Sequence, residues 1–500
     1  MKLQFKQGQN LIFIDKPTGF QSQLPLEPGV GLAEAFSLAL QKKLQLASDI
    51  ENRATGATAL AENSECVAEI QRQLSAGLVQ RKFWFVTDRK STELKYQLTE
   101  SSKKQSPLPV QLSRIKRSPF FELWEIDTNS PLTVATLRQK IAELGLPILG
   151  DTQNGGTASL HLFLHHLEIS VPGEATFYSP PPRVFERLGV LRDKVLSDWL
   201  MSIDSRQRLF NFLAQREQTL RLSHSEDLKL RWEALGPVLW GAWYREEDPT
   251  PLDIERFEFL AHMLGKQYRV RKMLNRGKDP LSRIDWSSPD CPNSWMAKEG
   301  ELKFHFDANR GLSHGLFLDQ RHNRDYVYRN SKNQRVLNLF AYTCGFSLAA
   351  AVGGADEVAS VDVSREFLDW GKQNFQLNNL DPERYEFFKQ DSLLFLKGAT
   401  KRGRQFDIII CDPPSFARNK DSLFSIEKNL EDLLKLCFDV MSPNGLLIFS
   451  CNLEKWSQNE LEKRISRMKG LKQIPAPQPV LDYEKPHEVR LLKTVFLKKH

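Results

Sequence analysis

The sequence has no CxxC pair and no cysteine–histidine cluster at zinc spacing, although it holds six cysteines, at 66, 291, 344, 411, 437 and 451. No metal site is expected, and the thiols read as reduced, as in a cytoplasm. No stretch approaches the roughly 20 apolar residues of a membrane helix. The amino-terminal "MKLQFKQGQNLIFIDKP" carries only the apolar run Leu11 to Ile14 before Asp15 and Lys16, too short for a signal sequence. A cytoplasmic protein with no membrane contact is therefore expected. Internal repeats and low-complexity tracts are missing too. So is a strong charge bias: 69 basic against 62 acidic residues leave +7, which permits nucleic-acid contact without requiring it. What is present is an ordinary globular balance, 41% hydrophobic and 26% charged, over a length that implies about two to four domains.

Residues 1–205 read as short strands and turns: "NLIFIDKPTGF", "RKFWFVTD", "ELKYQL", "FELWEIDT" and "LHLFLHHLEISVPG", with one helix from Glu62 to Ala76. That pattern predicts an α+β unit with a mostly antiparallel sheet. After "PPP" at 180–182, a helix-rich connection is predicted through "RLFNFLAQREQTLRL". Residues 206–330 read as a small α/β domain carrying "PVLWGAWYRE", a helix near Ile254 to Leu264, "QYRVRKML" and "ELKFHFDANRG".

From 331 to 500 the alternation changes. "RVLNLF", "EVASVDVS", "YEFFKQD", "FDIIICD" and "GLLIFSC" read as strands, separated by the helices "GFSLAAAVG", "EFLDWGKQNFQLN" and "NLEDLLKLCFDVM". Strands alternating with helices of this length predict a parallel, doubly wound α/β sheet. In "FDIIICDPPSFARNK" the β-branched run Ile408 to Ile410 suits a strand covered on both faces. Pro413 and Pro414 cannot continue it, so Asp412 and Phe416 fall just past a carboxyl edge, where ligands bind in such sheets.

Acids close successive strands. Asp362 ends the second strand about 20 residues after a glycine-bearing turn begins, placed for the ribose hydroxyls of a nucleoside. Asp391 and Ser392 follow the third strand and could face an adenine edge, and Asp412 follows the fourth. The turn "AYTCGFS" has one glycine, Gly345, rather than the three that admit a pyrophosphate, so an adenosyl cofactor without phosphates fits best. Any one of these acids could equally cap a helix; three at consecutive strand ends are harder to assign that way.

The segments "VLNLFAYTCGFSLAAAVGGADEVASVDVSREFLDWGKQNFQLNNL", "FDIIICDPPSF" and "LLIFSCN" resemble the class I S-adenosylmethionine-dependent methyltransferases of 23S ribosomal RNA, those that make 7-methylguanosine or 5-methylcytosine. "GLSHGLFLDQRHNR" resembles the family's G-L-F-L-D-x-R segment, which lies over the cofactor. The likeness covers about 300–500 and extends more loosely to 206. It implies S-adenosyl-L-methionine as cofactor, RNA as partner, and contacts to the cofactor from Phe317, Gln320, Arg321, Asn338, Phe340, Tyr342, Asp362, Asp391, Ser392 and Asp412. Cys344 stands where the family commonly has glycine.

The resemblance also places the target base beside the Asp-Pro-Pro turn, with Phe416 stacking on it and Asp412 orienting the attacking atom. Direct attack by a base nitrogen needs alignment more than a strong base. Carbon-5 methylation of cytosine needs a thiolate first. Ser415 occupies one position at which such enzymes carry their cysteine, and Cys451 in "SCN" matches another. The atom methylated stays open at this point, and Cys451 is either a catalytic or a structural thiol.

"LIFIDKPTGF", "LASDIENRATGATALAENSECVAEIQRQLSAGLVQRKFWFV" and "ILGDTQNGGTASLHLFLHHLEISVPG" resemble RluA-type pseudouridine synthases over about 1–205. The family signature H-R-L-D falls on Ser48-Asp49-Ile50-Glu51, so the nucleophilic Asp is replaced by Glu51. His161, His165 and His166 read as packing or surface residues. The expectation is an RNA methyltransferase with a degenerate synthase-like unit that holds substrate. The alternatives are a bifunctional enzyme that also isomerises uridine, or a catalytically silent RNA-binding assembly factor.

Overall fold

The computed structural model describes residues 5–20, 31–48, 50–88, 110–210, 216–223, 229–274, 283–418, 423–477, 481–483 and 492–500. Among these no helix is long and apolar enough to cross a membrane.

The amino-terminal sheet runs, in spatial order, through Lys6–Gln7, Leu11–Lys16, Thr55–Ala61, Leu164–Ser170, Gln80–Asp88, Phe121–Thr128 and Val110–Arg117. Its pairings are antiparallel except between Thr55–Ala61 and Leu164–Ser170. The helix expected at 62–76 is Ser64–Ser75, capped by the Asn63 side chain, which accepts from the Cys66 N–H. The strand expected at "ELKYQL" lies outside the described residues.

The expected boundary at 205 falls inside the helix Lys194–Leu209. That helix begins earlier than the predicted connection, and Thr219–Arg221, expected as its continuation, is a strand. Its Trp199 lies 5.8 Å from Trp232 and 6.2 Å from Phe257, rings that belong to the next unit. One apolar cluster therefore runs from Ile12 and Ile14 through Trp199 and Leu200 to Trp232, Trp243 and Val270. The sheet of this second unit orders Thr219–Arg221, Leu230–Leu235, Val238–Trp243, Gln267–Lys272 and Asp285–Ser287. The helix Pro251–Leu264 crosses between its parallel pair, started by a Thr250/Asp253 capping box and stopped at Gly265, φ 62°.

The carboxyl-terminal sheet carries the site. Its strands are β1 (Arg335–Leu339), β2 (Glu357–Asp362), β3 (Glu386–Lys389), β4 (Phe406–Cys411), β5 (Met441–Cys451), β6 (Leu471–Ile474) and β7 (Lys493–Lys499). The helices α1 (Gly345–Val352), α2 (Arg365–Leu377), α3 (Ser392–Lys401) and α4 (Ile426–Asp439) separate the first five strands. The order is β3-β2-β1-β4-β5-β7-β6. The first five strands are parallel, as predicted, but β7 inserts antiparallel beside β5 and pairs antiparallel with β6.

Along β4 the residues alternate between two cores. Ile408 and Ile410 join the cluster shared with Val238, Trp240 and Phe304 of the middle unit, whereas Ile409 and Cys411 face the cluster of α3 and α4. A strand buried on both faces has no polar side to show, hence the unbroken apolar run.

Candidate functional site

The turn after β1 sets the geometry. Phe340, Tyr342 and Cys344 all adopt left-handed backbone conformations, with φ of 54°, 48° and 60°. Such conformations cost of order 1–3 kcal/mol each for non-glycine residues and persist only where neighbours enforce them. The Tyr342 N–H donates to Asp362 Oδ2 at 2.8 Å, Thr343 Oγ1 donates to the Gly315 carbonyl at 2.6 Å, and Asn374 Nδ2 donates to the Thr343 carbonyl at 3.0 Å. Cys344 takes the conformation a glycine would, and Gly371 on α2 makes room for it: a Cβ there would lie 2.4 Å from the Cys344 sulfur.

Asp362 closes β2 with Oδ1 accepting from the Ser364 N–H at 2.9 Å. Burial pushes its carboxyl up from the usual range, and the backbone donors offset only part of that rise. Val363, the next residue, is 48% exposed, an apolar side chain left open beside a carboxylate. Asp391 caps α3, its Oδ1 accepting from the N–H groups of Leu393 and Leu394 at 3.0 and 3.1 Å, while Ser392 is buried. One Asp391 oxygen thus serves the helix.

Two expected contacts are corrected. Asn338 is buried beneath the turn and donates to Ser347 Oγ at 2.9 Å, holding the start of α1. Arg321 spends its guanidinium on Asp482, at 3.0 and 3.2 Å from NH1, and on the Thr219 carbonyl at 3.3 Å. It locks the middle sheet to the 481–483 turn and is not presented to a ligand.

Phe317 lies against the turn after β1, and Gln320 against Asp412. Phe317 is 51% exposed, its ring 5.2 Å from that of Tyr342. Gln320 Nε2 donates to Asp412 Oδ2 at 2.9 Å, and its Oε1 accepts from Asn323 Nδ2 at 2.6 Å. Burial first, and then the neighbouring Asp319, push the Asp412 carboxyl up to about 7, against the hydrogen bond from Gln320. Asp319, which sequence reasoning passed over between two chosen residues, is also raised by burial.

Phe416 begins a short hairpin in which Phe416–Arg418 pairs with Leu423–Ser425, and its side chain lies outside the described residues. Cys451 is corrected as a candidate nucleophile. It is 1% exposed in the cluster on the α4 side of the sheet with Cys411 and Trp456, and burial raises its thiol, the opposite of what a thiolate needs. Its neighbour Asn452 faces the other way. Asn452 accepts from Ser415 Oγ at 2.7 Å and lines a cavity of about 420 Å³ between the middle sheet and the carboxyl edge of the last one. Phe317, Asp319 and Asn323 line the same cavity, and Arg231, Tyr244 and His314 face them from the middle unit. Arg231 and Tyr244 carry no motif, and His314 falls in the segment Gly311 to Arg324; the fold brings the three together. Among the described residues no group of three or more His, Cys, Asp or Glu gathers as metal ligands.

In the amino-terminal unit Glu51 is ion-paired to Arg138, which also holds Asp151 through bonds of 2.9 and 2.6 Å. Lys16, fully buried, donates to the carbonyls of Glu51, Asn52 and Ala54. Asp49 lies outside the described residues. The three histidines are buried and bonded: His161 to Thr18, His165 to Thr55, and His166 to the Ala57 carbonyl.

A profile of the S-adenosylmethionine-dependent methyltransferases matches residues 234–467. A Neisseria meningitidis protein named ribosomal RNA large subunit methyltransferase K is 30% identical over 258 residues, covering 51% of this chain and 70% of that one. The chain belongs to the S-adenosylmethionine-dependent methyltransferases. Ribosomal RNA large subunit methyltransferase K/L of Shewanella oneidensis is 38% identical over 197 residues, and methyltransferase I of Salmonella arizonae 40% over 156. This chain covers 38% and 31% of itself in those matches, but spans only 27% and 39% of those two relatives' own length. Of solved structures, one described as a methyltransferase complexed with SAH superposes with a TM-score of 0.54 at 22% identity, over 73% of this chain and 98% of that one. A second, from Streptococcus mutans, gives 0.53 at 22% identity over 67% and 87%. Both likenesses concern the fold.

The site of this methyltransferase fits S-adenosylmethionine by its donor and acceptor set. Asp362, positioned by two backbone N–H groups, has lone pairs left for ribose hydroxyls, and Val363 beside it offers an apolar face for adenine. The left-handed turn after β1 supplies close backbone approach without the triple glycine of a phosphate site.

Proposed function

We propose that this methyltransferase acts on RNA, on a base of large-subunit (23S) ribosomal RNA, in the cytoplasm. Relatives that carry large-subunit rRNA methyltransferase names support the substrate class. The observation that carries the reading is the cavity between Asp412's hydrogen-bond network and the middle sheet, roomy enough for a planar base. S-adenosylmethionine, when bound, supplies an electrophilic methyl group on sulfur. The protein's task is then alignment: Asp362 and Val363 hold the nucleoside end, the Phe340–Cys344 turn and Phe317 shape the space around the methionine end, and Asp412, fixed by Gln320, faces the target. Tyr342 fixes the turn to Asp362, and Asp391 and Ser392 bound the adenine side. Phe416, next to the Asp-Pro-Pro turn, stacks on the base in this reading.

A nitrogen nucleophile is favoured over cytosine carbon-5. The carbon-5 route needs a thiolate, and Cys451 is buried, raised and turned into the opposite core.

Residues 1–205 are read as a degenerate RluA-type unit retained to hold RNA, ahead of a middle domain at 206–330 and the catalytic domain at 331–500. A mixed sheet and the Glu51–Arg138–Asp151 cluster support this reading. The bifunctional alternative requires Glu51 to act as nucleophile while Arg138 engages its carboxylate. Methyl transfer from labelled S-adenosylmethionine to ribosomal RNA isolated from a strain lacking the gene tests the function. Transfer to the large-subunit RNA alone is expected; labelling of a protein or small molecule instead would refute the reading.

A further inference from the structure

Far from the cavity, the amino-terminal sheet ends among the described residues on the strand Val110–Arg117. From Val110 to Phe120 the chain reads "VQLSRIKRSPF", three cations and no acid. Arg114 and Arg117 share one face of this edge, and both reach Glu122 Oε1 on the neighbouring strand, at 3.4 and 3.2 Å. The carboxylate is the buried member: its side chain is 5% exposed, those of the two arginines 41% and 50%. Two outward guanidiniums thus share one sunken charge, and the outer surface stays positive.

Ser118, Pro119 and Phe120 turn the chain into Phe121–Thr128, with the Ser118 N–H donating to the Phe121 carbonyl at 2.8 Å. Phe120, at the tip, is 43% exposed, and the Arg192 guanidinium lies 4.6 Å over its ring. Arg192 has no carboxylate partner among the described residues. The adjacent Asp193 is spent elsewhere: Oδ1 accepts from the Leu196 N–H at 3.1 Å, and Oδ2 from Arg256 Nε at 2.7 Å. Against these cations the 186–193 turn exposes one acid, Glu186. Lys116 Nζ donates to the Glu186 carbonyl at 2.5 Å, which fastens the hairpin to that turn. Arg256 in turn fastens it to the helix Pro251–Leu264 of the middle unit.

The edge carries a bulge. Arg114 pairs with Trp124 and Lys116 with Leu123, so Ile115, 46% exposed, has no cross-strand place. Bulges and charged edge residues are the devices that keep a sheet from accepting another strand, so an extended peptide is poorly served here. An exposed ring overlaid by an unpaired guanidinium, with further cations three and six residues back along the chain, suits instead a polyanion that carries flat bases. We propose that this hairpin tip is the RNA-holding surface of the amino-terminal unit: an unpaired base stacks on the Phe120–Arg192 pair, and Arg114 and Arg117 take the adjoining phosphates. The proposal rests on the reading that the protein methylates RNA. It moves the contact away from the Glu51–Arg138–Asp151 cluster, whose charges pair with one another, to the outer edge of the sheet.

The test uses the full chain and protein-free 23S ribosomal RNA. Phe120→Ala should weaken binding about 5–100-fold, and Phe120→Trp, which keeps a stacking face, should stay within about 3-fold of wild type. Arg192→Gln and Arg117→Gln should each weaken binding and lower the slope of log affinity against log salt by about 0.7–1. In these three weakened variants the KM for RNA in methyl transfer should rise while kcat stays within about 2-fold, with S-adenosylhomocysteine affinity and thermal midpoint at wild-type values. Wild-type RNA affinity in folded Phe120→Ala, or a wild-type salt slope in folded Arg192→Gln, would overturn the proposal. So would variants that bind naked RNA normally but lose binding to large ribosomal subunits, which would assign the surface to a ribosomal protein. A wild-type chain that neither binds nor methylates RNA would instead refute the functional reading itself.

Discussion

Glu51 in the amino-terminal unit and Asp412 in the carboxyl-terminal one are both carboxylates in loops beside a sheet, yet their neighbours treat them in opposite ways. Glu51 is engaged by Arg138, and Arg138 is shared with Asp151 in a closed ion cluster. Burial alone would lower the Arg138 guanidinium, but the two acids keep it charged. Among the described residues Asp412 has no cation bonded to it; its partner is the neutral Gln320, and burial with Asp319 nearby raises it. The first arrangement satisfies its charges internally, and the second leaves a perturbed acid joined through Gln320 to Asn323 of the cavity wall, the pattern of a working site.

The largest expected effect on this contrast comes from Asp362→Ala. Losing the carboxylate removes both the proposed ribose acceptor and the tether of the Tyr342 turn, so S-adenosylhomocysteine affinity should fall ~100-fold or more by calorimetry. Next is the pH dependence of stability. Folded Asp412 keeps its proton up to about 7, whereas the unfolded chain releases it near ~4. Between those values the folded state binds more protons, so this residue makes stability fall as pH rises from about 4 to about 7. Thermal midpoints of Asp412→Asn should lose that component of the slope, and an unchanged profile would show that Asp412 titrates normally. Smaller still, Cys451→Ala should keep methylation within about 2-fold and cost ~1 kcal/mol of stability for the vacated core volume; an inactive but folded variant would restore the thiolate route. Smallest, Glu51→Ala should leave methylation unaltered and the pseudouridine content of cellular RNA as it was. Loss of one pseudouridine would blur the contrast by returning chemistry to the first site.

Much of the catalytic sheet was legible because fully buried parallel strands write themselves as apolar runs, Ile408 to Ile410 above all, with acids at their ends. β6 and β7 were missed: "LKQI" and "KTVFLKK" are short and lysine-rich, and take their place only through pairing with each other and with β5. Arg321 looked like a ligand contact because its partner Asp482 lies 161 residues away. The place of Asn338 and the choice left open at Cys451 were not legible for a related reason. Which side of a strand faces a cavity depends on neighbouring layers that no local motif records. Arg231 and Tyr244 were invisible for the same cause, since the middle and last units build that cavity together.

The most direct test is mass-spectrometric mapping of methylated nucleosides in large-subunit ribosomal RNA from cells with and without this gene, and with the Asp412→Ala variant in its place. The account predicts one nitrogen-methylated base present with the wild-type gene and absent from both other strains. Identical methylation in all three, or a lost methyl on cytosine carbon-5, would contradict it.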